Sequence, residues 1–242
     1  MSTLSAEKNA HQTQINDKVQ KKARQVYDLL VAEYGTPTWR QHNDPISELI
    51  LTVLSQNTSD VNSGRAFQHL KASFKGWEEV LEAGEPDIAR AIQSAGLANI
   101  KARRIKTILR SIVDRTGGLT LDFLRNESVA EAKSWLRSLD GVGPKTAACV
   151  LLFSLRMPAL PVDTHVFRVS RRVGLVDEKM PVEAAHEHLE ALFEPEEIYP
   201  FHLNMIAHGR RVCKAQRPKC AECVLYPVCD NPVTLARYQN GV

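Results

Sequence analysis

Apolar residues recur at intervals of three and four along most of this chain, a spacing that predicts amphipathic helices. The segment 19–34 shows this pattern first, and the segments 60–74, 100–115 and 144–155 repeat it. The alternation of period two that is typical of strands does not persist in any segment. The sequence therefore predicts an all-α fold.

The helical segments are separated by short stretches that contain glycine, proline or a capping residue. Asp163 is placed to cap a helix that begins near Thr164, because its side chain can accept hydrogen bonds from the first free amides. Residues 1–16 are polar and lack a period, so we expect a flexible N-terminal tail, and residues 231–242 are expected to form a C-terminal tail. Further short helices are predicted at 77–82, 86–93 and 128–136.

A glycine-containing turn precedes the helix at 144–155. Gly141 and Gly143 surround Val142, and Pro144 suits the first position of a helix. The free amides at such a helix start can bind a phosphate. Lys145 falls in the first turn, where the helix dipole disfavours an ammonium and so favours the neutral, nucleophilic amine. A solvated lysine, and an Asp163 that only caps its helix, are the alternative interpretations.

Four of the five cysteines lie close together near the C-terminal end. Cys213, Cys220, Cys223 and Cys229 have six, two and five residues between them. Four thiolates at such spacing can hold one Zn²⁺ ion or one [4Fe–4S] cluster, and composition does not choose between the two. Cys149 stands alone in an apolar helix and is interpreted as a core residue.

The net charge of +3 says little, but the basic residues are clustered. One cluster lies at 101–110 and a second at 210–219, and each is either a phosphate-binding patch or a solvated surface. No apolar run is long enough to span a bilayer, and the N-terminal residues do not resemble a secretory signal. We therefore expect an intracellular, cytoplasmic protein without a membrane partner, associated with the nucleoid if the host is bacterial.

Taken together, these motifs resemble the endonuclease III family of helix–hairpin–helix DNA glycosylases. The resemblance rests on the segments 139–147 and 162–165, on the cysteine spacing, and on the segments 54–60 and 96–99. They follow one another in the family order and span most of residues 20–230. The ordered set is specific, although each motif alone is weak.

The resemblance implies a two-domain fold. A six-helix barrel with the helix–hairpin–helix would comprise residues 44–158, and a cluster domain would combine residues 17–43 with residues 159–230. The four cysteines would hold a [4Fe–4S] cluster, and the active site would lie in the cleft between the domains.

The resemblance also implies a mechanism on double-stranded DNA that contains a damaged base or an abasic site. Lys145 would attack C1′ of an extruded, oxidised pyrimidine nucleotide, and the resulting Schiff base would lead to β-elimination. Asp163 would act as the essential carboxylate, with Asp60 and His165 as site neighbours, and the enzyme would act as a monomer. The expected DNA contacts are Gly141, Val142, Gly143, Thr146, Gln56, Asn57, Leu97, Lys214, Arg217 and Lys219.

Several positions depart from the common family pattern. Asp140 replaces a proline and Pro144 an arginine, and Ala98 lacks the aromatic ring often found beside the leucine. Gln56-Asn57 stands where Ala-Gln is frequent, so the side chain that fills the gap left by the flipped base stays open. A monofunctional mismatch or uracil-type glycosylase is the nearest alternative function, and a non-catalytic DNA-binding module is the other.

Overall fold

The computed structural model of the protein describes the backbone of residues 3–231 and the side chains of residues 17–231. Within this range there are eleven α-helices and no β-strand, which confirms the all-α prediction. The α-helices are α1 (Thr3–Tyr34), α2 (Pro45–Ser55), α3 (Asp60–Ser73), α4 (Trp77–Glu82), α5 (Glu85–Ala91), α6 (Ala98–Thr116), α7 (Val129–Arg137), α8 (Pro144–Ser154), α9 (Thr164–Val173), α10 (Val182–Glu190) and α11 (Ile198–Arg211). Short 3-10 helices lie at Gln93–Ala95, Asp122–Asn126, Pro195–Glu197, Cys220–Glu222 and Tyr226–Val228.

The first helix is longer than predicted. It begins at Thr3, so the backbone of residues 3–16, where we expected a tail, is helical. This segment contains several good helix formers and neither glycine nor proline, so helical backbone can extend through it without an apolar stripe. Of the predicted C-terminal tail, all residues after Asn231 lie outside the described part.

The chain divides into two compact units. The terminal unit consists of the described residues of Met1–Thr38 and Val162–Val242, and the central unit is Trp39–Pro161. The predicted boundaries were at 43/44 and 158/159. The segment after Trp39 belongs to the central unit because Trp39 Nε1 donates to the Leu152 carbonyl at 2.6 Å, and the His42 ring stacks on Phe153 at 4.5 Å.

The central unit is built around two helices that are buried on almost every side. α2 and α8 pack against each other, and α3 and α7 cover their outer faces. Every residue from Thr146 to Ser154 is buried, including Cys149, which agrees with its interpretation as a core residue. α6 adds one apolar stripe at helical spacing, formed by Ala102, Ile105, Ile108, Leu109 and Ile112.

The core of the terminal unit is formed by the packing of α11 against both α1 and α9. The rings of Phe193 and Phe201 lie 3.9 Å apart, and Phe201 is fully buried. The end of α1 is fixed to α11 by polar contacts, since Tyr34 Oη lies 3.0 Å from His208 Nδ1. No helix in residues 3–231 is both long and apolar enough to cross a membrane.

Candidate functional site

The glycine-containing turn joins α7 to α8 in the central unit. Gly141 has a φ of 74°, a left-handed conformation that other residues rarely adopt. A Cβ atom at Gly141 would also lie 2.2 Å from Nε of Arg104, so the packing itself favours glycine. Leu139 and Val142 are buried beneath the turn, whereas Gly143 is exposed. The turn is therefore anchored in the core while its last residue faces solvent.

Lys145 lies in the first turn of α8, where the sequence placed it. α8 begins at Pro144, and Lys145 is half-buried. The first amides of a helix have no partner within the helix, so they remain available to a ligand. Thr146, the next residue, is only 4% exposed.

A buried carboxylate that interacts with Lys145 was missed by sequence reasoning. Glu48 lies in the first turn of α2 and is 6% exposed. Burial raises the pKa of Glu48, whereas a 2.8 Å hydrogen bond from Asn43 Nδ2 lowers it, as do the nearby side chains of His42 and Lys145 in their charged forms. The sequence did contain a signal for this buried carboxylate, because Glu48 is the one acidic residue in the largely apolar segment 45–55.

The loop after α2 is bonded to the glycine-containing turn. Gln56 Nε2 donates to the Gly141 carbonyl at 3.3 Å, and Arg104 Nη1 donates to Gln56 Oε1 at 2.8 Å. Asn57 is exposed and has a left-handed φ of 55°. The two candidate gap-filling residues therefore differ, because Gln56 is engaged within the protein and Asn57 is presented outwards.

Leu97 occupies an exposed turn immediately before α6. It is 54% exposed and has a φ of 49°, which is uncommon for a residue with a branched side chain. The turn is held from below by Lys101, whose Nζ donates to the carbonyls of Ala95 at 2.9 Å and Leu54 at 2.7 Å. Burial lowers the pKa of Lys101, and the charge of Arg104 contributes in the same direction.

The basic cluster at 101–110 is largely engaged within the protein. Lys101 is 2% exposed, Lys106 Nζ donates to the Ala83 carbonyl, and Arg103 lies 3.5 Å from Glu85. Arg110 lies 3.9 Å from Glu82. This cluster therefore serves mainly helix packing and surface ion pairs, which argues against a phosphate-binding patch. The solvated surface that was the alternative describes Arg103 and Arg110, whereas Lys101 is buried.

Asp163 caps α9 in the terminal unit, as predicted. Its Oδ1 accepts hydrogen bonds from the amides of His165 at 2.9 Å and Val166 at 2.7 Å. This leaves Oδ2 without a role in the cap. Asp60, the other carboxylate expected beside the site, begins α3 in the central unit and is exposed.

His165 is connected to the cysteine loop through one arginine. Arg168 Nη2 lies 3.1 Å from His165 Nδ1 and donates to the Gly209 carbonyl at 2.9 Å. Nε of the same arginine donates to the Cys213 carbonyl at 3.0 Å. The start of α9, which carries Asp163, is thus tied to the first cysteine of the cluster.

The four clustered cysteines line one pocket in the terminal unit. Arg172 Nη1 donates to Cys213 Sγ at 3.3 Å, and His208 Nε2 lies 3.3 Å from Cys223 Sγ. Among the described residues, no group of three or more His, Cys, Asp or Glu is arranged to hold a metal ion. Four soft sulfur donors around one pocket nevertheless have the chemistry that an iron–sulfur cluster or zinc requires.

Burial raises the pKa of the Cys223 thiol to about 11, and the neighbouring cysteines add to this effect because thiolates repel one another. A bound cation or cluster reverses this preference, since ligation removes the thiol proton.

The chain between the first two cysteines is cationic and exposed at Lys214, Arg217 and Lys219. Lys219 Nζ lies 2.9 Å from Oε2 of Glu222 and forms an ion pair with it. The backbone of Arg217 has a left-handed φ of 48°.

The chain is similar to known base excision DNA repair proteins. Residues 50–195 match the model of the HhH-GPD superfamily base excision DNA repair proteins. Endonuclease III of Thermotoga maritima is 38% identical over 195 residues, which cover 80% of this chain and 86% of that relative. An Arabidopsis thaliana relative is 41% identical over 162 residues, and the match spans 67% of this chain but only 55% of that longer protein.

The fold is also that of solved endonuclease III structures. A non-covalent endonuclease III–DNA complex superposes with a TM-score of 0.76 at 28% identity, over 91% of this chain and 98% of that one. A trapped endonuclease III–DNA covalent intermediate has a TM-score of 0.75 at 28% identity, over 90% of this chain and 98% of that one. The chain belongs to the endonuclease III family within the HhH-GPD superfamily of base excision DNA repair proteins.

Proposed function

We propose that this protein is a bifunctional DNA glycosylase that removes damaged pyrimidines from duplex DNA and cleaves the strand at the resulting abasic site. The observation that carries the proposal is Lys145, a half-buried amine in the first turn of the helix that follows the glycine-containing turn. A structural neighbour is described as a trapped covalent intermediate with DNA. A lysine amine is a group that forms such intermediates with sugar carbons.

The chemistry begins with attack of the neutral Nζ of Lys145 on C1′. The new bond forms as the glycosidic bond breaks, and the base leaves with that electron pair and takes up a proton. Opening of the sugar ring gives a Schiff base between Nζ and C1′. Loss of a proton from C2′ expels the 3′ phosphate, and water then releases Lys145.

Asp163 is proposed as the carboxylate that assists Lys145. Oδ1 is engaged by two amides at the start of α9, which fixes the orientation of the carboxylate. Oδ2 would then face the reacting sugar, where it would stabilise positive charge or accept a proton. His165 and Asp60 are proposed as neighbours that contribute charge rather than covalent chemistry.

DNA would be held by three segments of the central unit and one of the terminal unit. The amides of Gly141, Gly143 and Thr146 would bind a backbone phosphate. The Val142 amide already donates to the Leu139 carbonyl at 3.1 Å, so Val142 would hold the turn in place. Leu97 would enter the base stack, and Asn57 would fill the gap because Gln56 is already bonded to Arg104 and Gly141. Exposed cations of the cysteine loop, namely Lys214, Arg217 and Lys219, would contact phosphates.

The proposed cofactor is a [4Fe–4S] cluster held by Cys213, Cys220, Cys223 and Cys229. When bound, it would supply covalent cross-links that stabilise the cationic loop between its ligands. Purified protein should then be coloured and contain about four iron atoms per chain, as this cluster type requires. A colourless, iron-free preparation that stays folded and active would contradict the assignment.

We further propose that the enzyme acts as a monomer inside the cell, where its DNA substrate is located.

The function is tested with a duplex that contains one oxidised pyrimidine. Base release and strand cleavage are measured for the wild type, Lys145→Ala and a control variant, Lys133→Ala, on α7. We expect the wild type and the control to do both, and Lys145→Ala to lose both by at least about a thousandfold. Base release without cleavage by the wild type would instead favour a monofunctional glycosylase. Binding without either reaction would favour the non-catalytic module.

A further inference from the structure

Three large apolar side chains are exposed on the central unit. Val61 is 70% exposed, Leu97 is 54% exposed and Ile100 is 57% exposed, and in the described part of the chain no other large apolar side chain is exposed. Val61 lies in the first turn of α3, and Ile100 in the first turn of α6. Single exposed apolar residues are ordinary, but three on neighbouring segments indicate a binding surface.

The segments that carry these residues are bonded to one another. Ser94 Oγ donates to the carbonyl of Asn62, the residue after Val61, at 3.3 Å. Ile100 lies in the first turn of α6, and Leu97 immediately precedes that helix, so the two residues belong to one short segment. The three exposed side chains thus belong to two segments that this hydrogen bond joins, and we call them together the apolar platform (Val61, Leu97 and Ile100).

The Leu97 turn of the platform is held in place by surrounding contacts. The left-handed conformation of Leu97 persists only because surrounding contacts enforce it. The buried Lys101 supplies such contacts, since its two hydrogen bonds join the turn to the end of α2. A fixed apolar surface binds a flat, apolar ligand more favourably than a flexible surface does, because fewer protein side chains must become ordered on binding.

The platform is continuous with the segments that we propose to contact DNA. Arg104, one helical turn beyond Ile100, bonds to Gln56, and Gln56 bonds to Gly141. Extrusion of a nucleotide leaves apolar faces of the neighbouring bases open to water. These faces are apolar, as the platform is, and the hydrogen bonds from Arg104 to Gln56 and from Gln56 to Gly141 join the platform to the proposed DNA contacts. Both points argue for DNA bases as its occupant rather than another protein.

We propose that Val61 and Ile100 extend Leu97 into a platform that covers the unstacked bases beside the extruded nucleotide, and so help the enzyme to distinguish damaged from intact DNA. This inference rests on the proposed function, in which a nucleotide leaves the stack. It assigns a specificity role to Val61 and Ile100. A duplex that keeps all its bases stacked offers the platform nothing to cover.

The test measures binding rather than turnover. Fluorescence anisotropy gives the affinity for a duplex with one tetrahydrofuran abasic analogue and for the intact duplex, in the wild type and in Val61→Ser/Ile100→Ser. We expect the double variant to lose about tenfold of the preference for the abasic duplex, with affinity for intact DNA changed by less than about twofold. Ile100→Leu, which keeps the apolar surface, should retain the preference.

The inference is overturned if the double variant keeps the full preference, if both affinities fall equally, or if the wild type shows no preference. The analogue cannot form a Schiff base, so its binding does not depend on Lys145. Failure of the proposed function would be seen separately, as no cleavage of a true abasic site by a wild type that still prefers the analogue. Circular dichroism of each variant checks that a change in affinity is not caused by unfolding. We expect the variants to remain folded, since the substituted side chains are exposed.

Discussion

Substitution of Gly141 by alanine tests how the turn before Lys145 is held. The φ of 74° costs a residue with a Cβ atom about 1–2 kcal/mol. The new Cβ would lie 2.2 Å from Arg104 Nε, so the flexible arginine must move and release Gln56 Oε1. Loss of that partly exposed, charged hydrogen bond adds about 1 kcal/mol. We therefore expect Gly141→Ala to lower the free energy of unfolding by about 2–3 kcal/mol.

Urea unfolding followed by circular dichroism measures this change, and the chain offers a matched control. Gly143 has a φ of −88°, and no heavy atom lies within 4 Å of the position that a Cβ atom would take there. The loss of unfolded-state entropy and the weaker helix cap expected of Gly143→Ala oppose each other, so stability should change by less than about 1 kcal/mol. In a background of Arg104→Ala, the cost of Gly141→Ala should fall by about 1 kcal/mol, because the displaced contact is already absent. Equal stabilities of Gly141→Ala and Gly143→Ala would refute this reasoning.

Three further changes give distinct expected outcomes. Asp163→Asn should keep the cap of α9 and its stability but abolish turnover, whereas Asp163→Ala should also lose about 1 kcal/mol of stability, as measured by urea unfolding beside a base-release assay. Lys101→Met should destabilise the protein by about 2–4 kcal/mol, because the buried carbonyls of Leu54 and Ala95 lose their donor, and an unchanged urea midpoint would contradict this. Because burial raises the pKa of Glu48 in the folded state, stability from its protonated form is present at low pH and is lost as pH rises through that pKa. Glu48→Gln should therefore be more stable than the wild type at neutral pH and lose this advantage in acid, and a difference in melting temperature that is independent of pH would count against a buried charge.

Local signals in the sequence were sufficient for the elements around Lys145 and Asp163. Gly141 and Pro144 marked the turn and the helix start, since one requires a positive φ and the other fixes a helical φ. Asp163 preceded an amphipathic segment and caps it. These features depend on residues a few positions apart, so no knowledge of the tertiary fold was needed.

Contacts between distant segments could not be predicted in the same way. Gln56 and Gly141 are 85 positions apart, so their hydrogen bond exists only once α2 and α8 have packed. The burial of Lys101 was missed for the same reason, because a lysine in a basic segment normally faces solvent. The early start of α1 was missed because its first residues have helix-forming composition without the apolar stripe on which the prediction relied.

Formation of a Schiff base at Lys145 is the central chemical claim, and it is tested by borohydride trapping followed by peptide mapping. The protein is mixed with a duplex that contains a true abasic site, reduced with borohydride, digested and analysed by mass spectrometry. We expect one cross-linked peptide with the sugar remnant on Nζ of Lys145, and no adduct in Lys145→Ala. An adduct on another residue, or strand cleavage by Lys145→Ala at the wild-type rate, would contradict the claim.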